Sequence, residues 1–119
     1  MARSDVNEAR FMAEAERMRK EAVAAGDQSY GAVVVKDGQV IGFGPSRVVV
    51  NGDPTAHAEM EAIRAAAQAL KSQDLSGCTM FSTSRPCPMC ETAAHWANLD
   101  DLVYGETLTE GGSPRYRRC

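Results

Sequence analysis

No run of about 18 apolar residues, the length a helix needs to cross a bilayer, occurs anywhere in the chain. The opening residues Met1-Ala2-Arg3-Ser4-Asp5 also lack the apolar core of a secretory signal. These absences argue against a membrane span and make a cytoplasmic location the expectation. An excess of positive charge is missing too: 13 Lys and Arg stand against 16 Asp and Glu, a net charge of −3. Nucleic-acid surfaces want a basic patch, so a polynucleotide partner is not expected. No internal repeat and no compositional boundary interrupts the sequence, and 119 residues suit one domain over 1–119. A hydrophobic share of 44% supplies a packed core, although a domain this small has limited burial to spare.

Cysteine is sparse but placed tellingly. Four cysteines could make two disulfides in a secreted protein; in a reducing compartment metal binding is the better reading. Two of them stand in Pro86-Cys87-Pro88-Met89-Cys90. Thiols three residues apart project from one face of a helical turn, and C-x-x-C is ordinary zinc spacing. Proline is tolerated in the first turn of a helix, and the positive end of the helix dipole favours thiolate. Alone, the motif fits a redox pair, half of a structural zinc site, or two thirds of a catalytic one.

A partner for it lies 30 residues upstream, in Asp53-Pro54-Thr55-Ala56-His57-Ala58-Glu59. His57 can be a third ligand. Glu59 is a carboxylate close enough to work at the same metal without binding it. Residues at i and i+2 do not share a helix face, so both reach one centre only at the mouth of a helix, and Asp53-Pro54 supplies such a start. Cys78 and Cys119 read as bystanders; either one as a fourth ligand would close the site and make it structural. His95 falls off the face shared by Cys87 and Cys90 and reads as a non-ligand. Trp96 reads most simply as packing, the alternative being a wall of a pocket.

The remaining chain alternates helical and strand patterns. Ser4–Ala25 reads as a helix with Phe11, Ala15, Met18, Ala22 and Ala25 as its apolar stripe. Gly26 is its natural stop. Tyr30–Lys36 and Gln39–Phe43 flank Asp37-Gly38, a two-residue hairpin signal. Gly44-Pro45-Ser46-Arg47 breaks the second strand, and Val48-Val49-Val50 reads as an irregular extension of it. A helix is expected over Thr55–Lys71, buried along Ala56, Met60, Ile63, Ala67 and Leu70, with small alanines elsewhere letting it lie close to a sheet. Thr79–Thr83 is a third strand, Cys87–Asn98 a third helix and Leu102–Tyr104 a fourth strand. A helix joining strands three and four makes them parallel, so the sheet is mixed. Glu106–Cys119 reads as a loop-like tail with a short basic end. The two helix mouths then open at one sheet edge, outside the carboxyl end of strand three, where α/β sheets bind ligands.

Ligand count gives the chemistry. Three protein ligands leave zinc one open position, the mark of a catalytic site, where it lowers the pKa of water towards 7. Water added to an amidine-like carbon must be followed by loss of ammonia, which leaves only when protonated. Glu59 can take the water's proton and deliver it to the ring and then to the amine.

His57-Ala58-Glu59 followed by Pro86-Cys87-Pro88-Met89-Cys90 is the H-x-E…P-C-x-x-C signature of the zinc nucleobase deaminases. The sequence resembles the cytidine and deoxycytidylate deaminase superfamily from about Tyr30 to Gly105. Asn51–Glu59 is similar to bacterial guanine deaminases and tRNA adenosine deaminases alike, whereas Pro86–Cys90 and His95-Trp96-Ala97 stand closer to the guanine deaminases. The resemblance implies a three-layer α/β/α fold with a mixed central sheet of four to five strands. It implies one zinc per chain on His57, Cys87 and Cys90, proton transfer by Glu59, a base carbonyl held by the Ala58 N–H, and Tyr30 lining the pocket. Relatives carry a base-contacting asparagine where this chain has Ser46, and Glu where it has Arg85. The expected substrate is a small free base of the 2-amino-oxo kind, guanine or isocytosine, in a homodimer or larger homo-oligomer. The alternatives are a cytosine or cytidine deaminase, a tRNA-editing adenosine deaminase, and, outside this chemistry, a thioredoxin-type C-x-x-C protein, which leaves His57 and Glu59 unexplained.

Overall fold

Alternation of apolar residues along Gly31–Lys36 sends its side chains to two different helices. In the structure, a computed structural model that describes residues 5–105, Ala32 and Val34 enter one core cluster and Val33 and Val35 the other. The elements in chain order are α1 (Asp5–Ala24), β1 (Gly31–Lys36), β2 (Gln39–Pro45), α2 (Val48–Asn51), α3 (Ala58–Leu70), β3 (Cys78–Ser82), α4 (Pro88–Trp96) and β4 (Asp101–Tyr104). The strands form one sheet in the order β2-β1-β3-β4. β1 is antiparallel to β2 and to β3, and β3 is parallel to β4. This is the expected mixed sheet, with four strands among the described residues. The Glu106–Cys119 tail, and with it Cys119 and the basic end, lies outside them.

α1 covers one face of the sheet. Phe11, Ala15 and Met18 pack on Val33, Val35 and Phe81, and the Phe11 and Phe81 rings meet at 5.4 Å between centroids. Burying the phenylalanine, methionine and valine side chains stabilises by about 1.5–3 kcal/mol each. The expected stripe holds as far as Ala22, but Ala25 lies beyond the helix end and is exposed. Gly26, at φ +82°, turns the chain. Its N–H reaches Val23 O and that of Asp27 reaches Ala22 O, a Schellman closure that leaves Asp27 facing the segment after β2.

α3 and α4 cover the other face, where Ala58, Ala62, Ala66, Ala94 and Ala97 pack on Ala32, Val34 and Met80. The fully buried line of α3 is therefore alanine. Met60, Ile63, Ala67 and Leu70, expected to be buried, flank it half-exposed. The reason lies in β2: a Cβ on Gly42 or Gly44 would fall within 3.0 Å of backbone atoms of α3, so the helix rests on bare backbone, and only alanine fits between.

Val48-Val49-Val50 does not extend β2. It forms the short helix α2, whose N-cap Arg47 makes no side-chain cap bond. The Asp27 carboxylate caps it instead, accepting the N–H groups of Val49 at 2.9 Å and Val50 at 2.7 Å. Branched valines fit strands locally; this contact from across the sequence overrides that preference.

Candidate metal centre

β1 begins, and β2 and β3 end, at the same end of the sheet, since Gly31 pairs with Pro45 and Ala32 with Ser82. Two chain segments reach this end in extended backbone and then turn into helices. Asp53 first accepts both the N–H and the hydroxyl of Thr55, which hold its carboxyl below the usual carboxylate range and form a local turn. That turn delivers His57 as the N-cap of α3, at φ −64° and ψ 156°. Cys87 is likewise the N-cap of α4, at φ −80° and ψ 170°, with proline in the first turn. Neither cap residue bonds its own helix through its side chain.

The two caps meet. His57 Nδ1 lies 3.6 Å from Cys87 Sγ and 3.5 Å from Cys90 Sγ. All three residues are buried, and their donor atoms lie within 4.8 Å of one another. Zinc bonds of about 2.3 Å to sulfur and 2.0–2.1 Å to nitrogen, at tetrahedral angles, put S and N about 3.5 Å apart. The donor set and its spacing therefore fit zinc. Cys78, at the opposite end of β3, is outside the group, and burial pushes its thiol up. His95 is exposed in the last turn of α4.

Glu59 sits on the same turn as His57 and is 2% exposed. Its Oε2 atom is buried and accepts no hydrogen bond from the described residues, although the residue as a whole is engaged with its surroundings. Ala58 is the first residue of α3, so its N–H has no acceptor within the helix. Tyr30, half-buried, packs against the α3-side core and its carbonyl accepts the Ser46 N–H at 3.2 Å. Ser46 is 2% exposed and its hydroxyl donates to Asp27 Oδ1 at 2.8 Å. Trp96 is not core packing: it is 78% exposed. It ends α4, about 13 Å of helix from Cys87.

Asp27 escapes a reading of the sequence. Its carboxylate takes hydrogen bonds from Gln28, Ser46, Val49 and Val50. Burial alone would raise it, but these bonds outweigh burial and hold it below the usual range. No local signal marks the residue, because three of the four donors lie 19 to 23 positions away. The sequence does not announce a cavity of about 290 Å³ either; it is lined by Arg85, Pro86, Cys87, Pro88 and Glu91 and so shares Cys87 with the cluster.

The guanine deaminase of Bacillus subtilis is 39% identical over 106 residues, covering 88% of this chain and 68% of that protein. The crystal structure of guanine deaminase from B. subtilis superposes with a TM-score of 0.79 over 82% of this chain and 63% of that one. A structure from work on A-to-I editing by tRNA:A34 deaminases gives 0.80 at 36% identity, over 87% and 75%. The chain thus spans about two thirds of the guanine deaminase length. Residues 5–106 match the cytidine and deoxycytidylate deaminase zinc-binding region, and the chain belongs to that zinc-binding deaminase family.

Proposed function

We propose that the protein is a hydrolytic deaminase of a small amino-substituted nucleobase, with a 2-amino-oxo base of the guanine or isocytosine kind as substrate. The observation that carries this reading is the buried trio His57, Cys87 and Cys90 on two facing helix starts, one of which also carries Glu59. His57, Cys87 and Cys90 hold one zinc per chain, which when bound supplies an acidified water. Glu59 takes the proton of the attacking water and passes it to the ring nitrogen. It then takes the remaining proton of the added hydroxyl and delivers it to the departing amine, so the C–N bond breaks with ammonia as the leaving group and a carbonyl remains on the ring. Positioned acid–base help of this kind is worth roughly 10²- to 10⁴-fold. The Ala58 N–H holds the base carbonyl, and Tyr30 lines the pocket beside Ser46.

A net charge of −3 supports a free base rather than a polynucleotide, which a basic surface would bind. The likeness to a tRNA:A34 deaminase structure, at 36% identity, favours editing of a tRNA adenosine as the second reading; cytosine or cytidine is the other alternative. Ammonia release from guanine, isocytosine, cytosine, cytidine and tRNA separates them. Deamination of tRNA at its anticodon with every free base inert would overturn the free-base reading.

We place the enzyme in the cytoplasm, where thiols stay reduced for metal; no helix among the described residues is long and apolar enough to cross a membrane. Exposure of Trp96 at 78% supports a homodimer or larger homo-oligomer, to be checked by light scattering of Trp96→Glu against wild type.

A further inference from the structure

The chain approaches His57 through residues 47–55, none of which is buried. Val49 and Val50 are 59% and 52% exposed, so apolar packing does not fix α2 in place. Hydrogen bonds do, and they run on towards the metal donors. Asp27 Oδ2 accepts the N–H groups of Val49 and Val50 at the start of α2. The Asp53 N–H donates to Val48 O, the Ala56 N–H donates to Asp53 O, and Ala56 O accepts the Arg47 N–H, each at 3.0 Å. Ala56 immediately precedes His57, the N-cap of α3. Asp27 Oδ1 also takes the Ser46 hydroxyl at 2.8 Å, which pins the segment where it leaves β2. Asp27 itself is rooted in the closure of α1, its N–H on Ala22 O at 2.8 Å. Its carboxylate thus ties the layer on one face of the sheet to the approach of a donor on the other.

We infer that Asp27 is a positioning residue for the metal donor His57, which lies 30 positions later in the chain. The inference rests on the zinc reading of His57, Cys87 and Cys90 above. A zinc site accepts its ligands only within about 0.2 Å of their proper distances. Slack in a lead held by hydrogen bonds is therefore felt at the metal before it is felt in the packed core. Groups that orient a metal ligand are worth roughly 10- to 100-fold in metal affinity. Asp27 acts through backbone links and not on the imidazole itself, so the lower end of that range applies.

The test is the zinc dissociation constant, measured by competition with a chromophoric chelator, for wild type, Asp27→Asn and Asp74→Asn. Asp74 is the matched control. Its carboxylate accepts the Ser76 N–H at 3.1 Å and the Asn98 side-chain amide at 3.3 Å, and its bonds to Ser76 hold it below the usual carboxylate range as well. It stands past the far end of α3, outside the links that lead to His57. Asp27→Asn should weaken zinc binding roughly 10-fold, whereas Asp74→Asn should lower Tm and leave the zinc constant unchanged. In amide hydrogen exchange of the zinc-loaded protein, the Arg47 and Ala56 N–H groups should exchange faster in Asp27→Asn and at the wild-type rate in Asp74→Asn. If Asp27→Asn folds poorly, Asp27→Glu takes its place. It keeps the charge but sets the carboxylate one methylene off, and should weaken zinc too, because placement and not charge carries the role. A wild-type zinc constant in a folded Asp27 variant overturns the assignment, and so does an equal loss in Asp74→Asn, the mark of general loosening. Wild-type protein that binds no zinc overturns the metal reading itself, and the assignment with it.

Discussion

Adding one methyl group at Gly44 should disable the enzyme through a helix, although Gly44 touches no donor of the cluster. The new Cβ would lie far inside 3.0 Å of the Ala58 carbonyl oxygen, and close to the Ala62 N–H as well. Both are backbone atoms, so no side chain can swing aside. Reaching ordinary contact at 3.4 Å requires α3 to retreat from β2 by about 1 Å. Ala58 is the first residue of α3, and its neighbour His57 is the N-cap, so the retreat moves the metal donor itself. Overpacking costs about 1–3 kcal/mol, or roughly 4–12 °C in Tm for a chain of this size. A displacement of about 1 Å at a reacting centre costs on the order of 10²-fold in rate. The assay is kcat/KM with zinc content and Tm for Gly44→Ala, beside Gly38→Ala as control. Gly38 lies in the hairpin turn at the opposite end of the sheet, at φ +77° with nothing near its would-be Cβ. Alanine there costs about 1–2 kcal/mol of backbone strain and should leave turnover and zinc unchanged. A Gly44→Ala protein with wild-type zinc, turnover and Tm would refute the reasoning, as would one no worse than Gly38→Ala in every measure.

Glu59→Gln should keep zinc and Tm near wild type while kcat falls roughly 10²- to 10⁴-fold, whereas His57→Ala should lose metal and stability together; metal analysis and melting curves that fail to separate the two variants count against the proton-transfer role. Asp27→Asn should cost about 0.5–2 kcal/mol, the worth of a helix cap, measured by urea denaturation. The folded pKa of Asp27 is lowered, so its contribution is fully present above the unfolded value of about 3.9 and is lost as pH falls through the folded one. The gap between wild type and Asp27→Asn should accordingly hold steady from about pH 5 to 8 and close below about pH 4; a gap still open well below that range would exclude the carboxylate as its source.

The metal donors are legible in the sequence because each needs only a few neighbours. His57, Cys87 and Cys90 take their places from local turn and proline chemistry, and α1, the hairpin and the parallel pairing of β3 and β4 follow from periodicity and short connections. The features that escape depend on distant residues. Three valines in a row prefer a strand, and only Asp27, more than 20 positions away, makes them a helix. The buried line of α3 follows not its largest side chains but the glycines of β2, which sequence places on another element. Trp96 reads as packing by its chemistry, yet it ends α4 on a side that meets no other described element closely enough to cover it, and remains 78% exposed.

The pairing of two helix starts also governs where the chain tolerates insertions. A ligand shared by His57 and Cys87 closes a loop between anchors 30 residues apart, made of α3, the turn after it, and β3. Loop-closure entropy grows only logarithmically, about 0.6 kcal/mol per doubling of length. Residues added among Ser72, Gln73 and Asp74, which are exposed and lie past the far end of α3, lengthen this loop without moving either anchor. One residue added between Cys87 and Cys90 instead turns a donor by about 100° around its helix. Chain length is therefore free to drift at the end of the sheet away from the metal, while a single added residue at the metal end abolishes the centre.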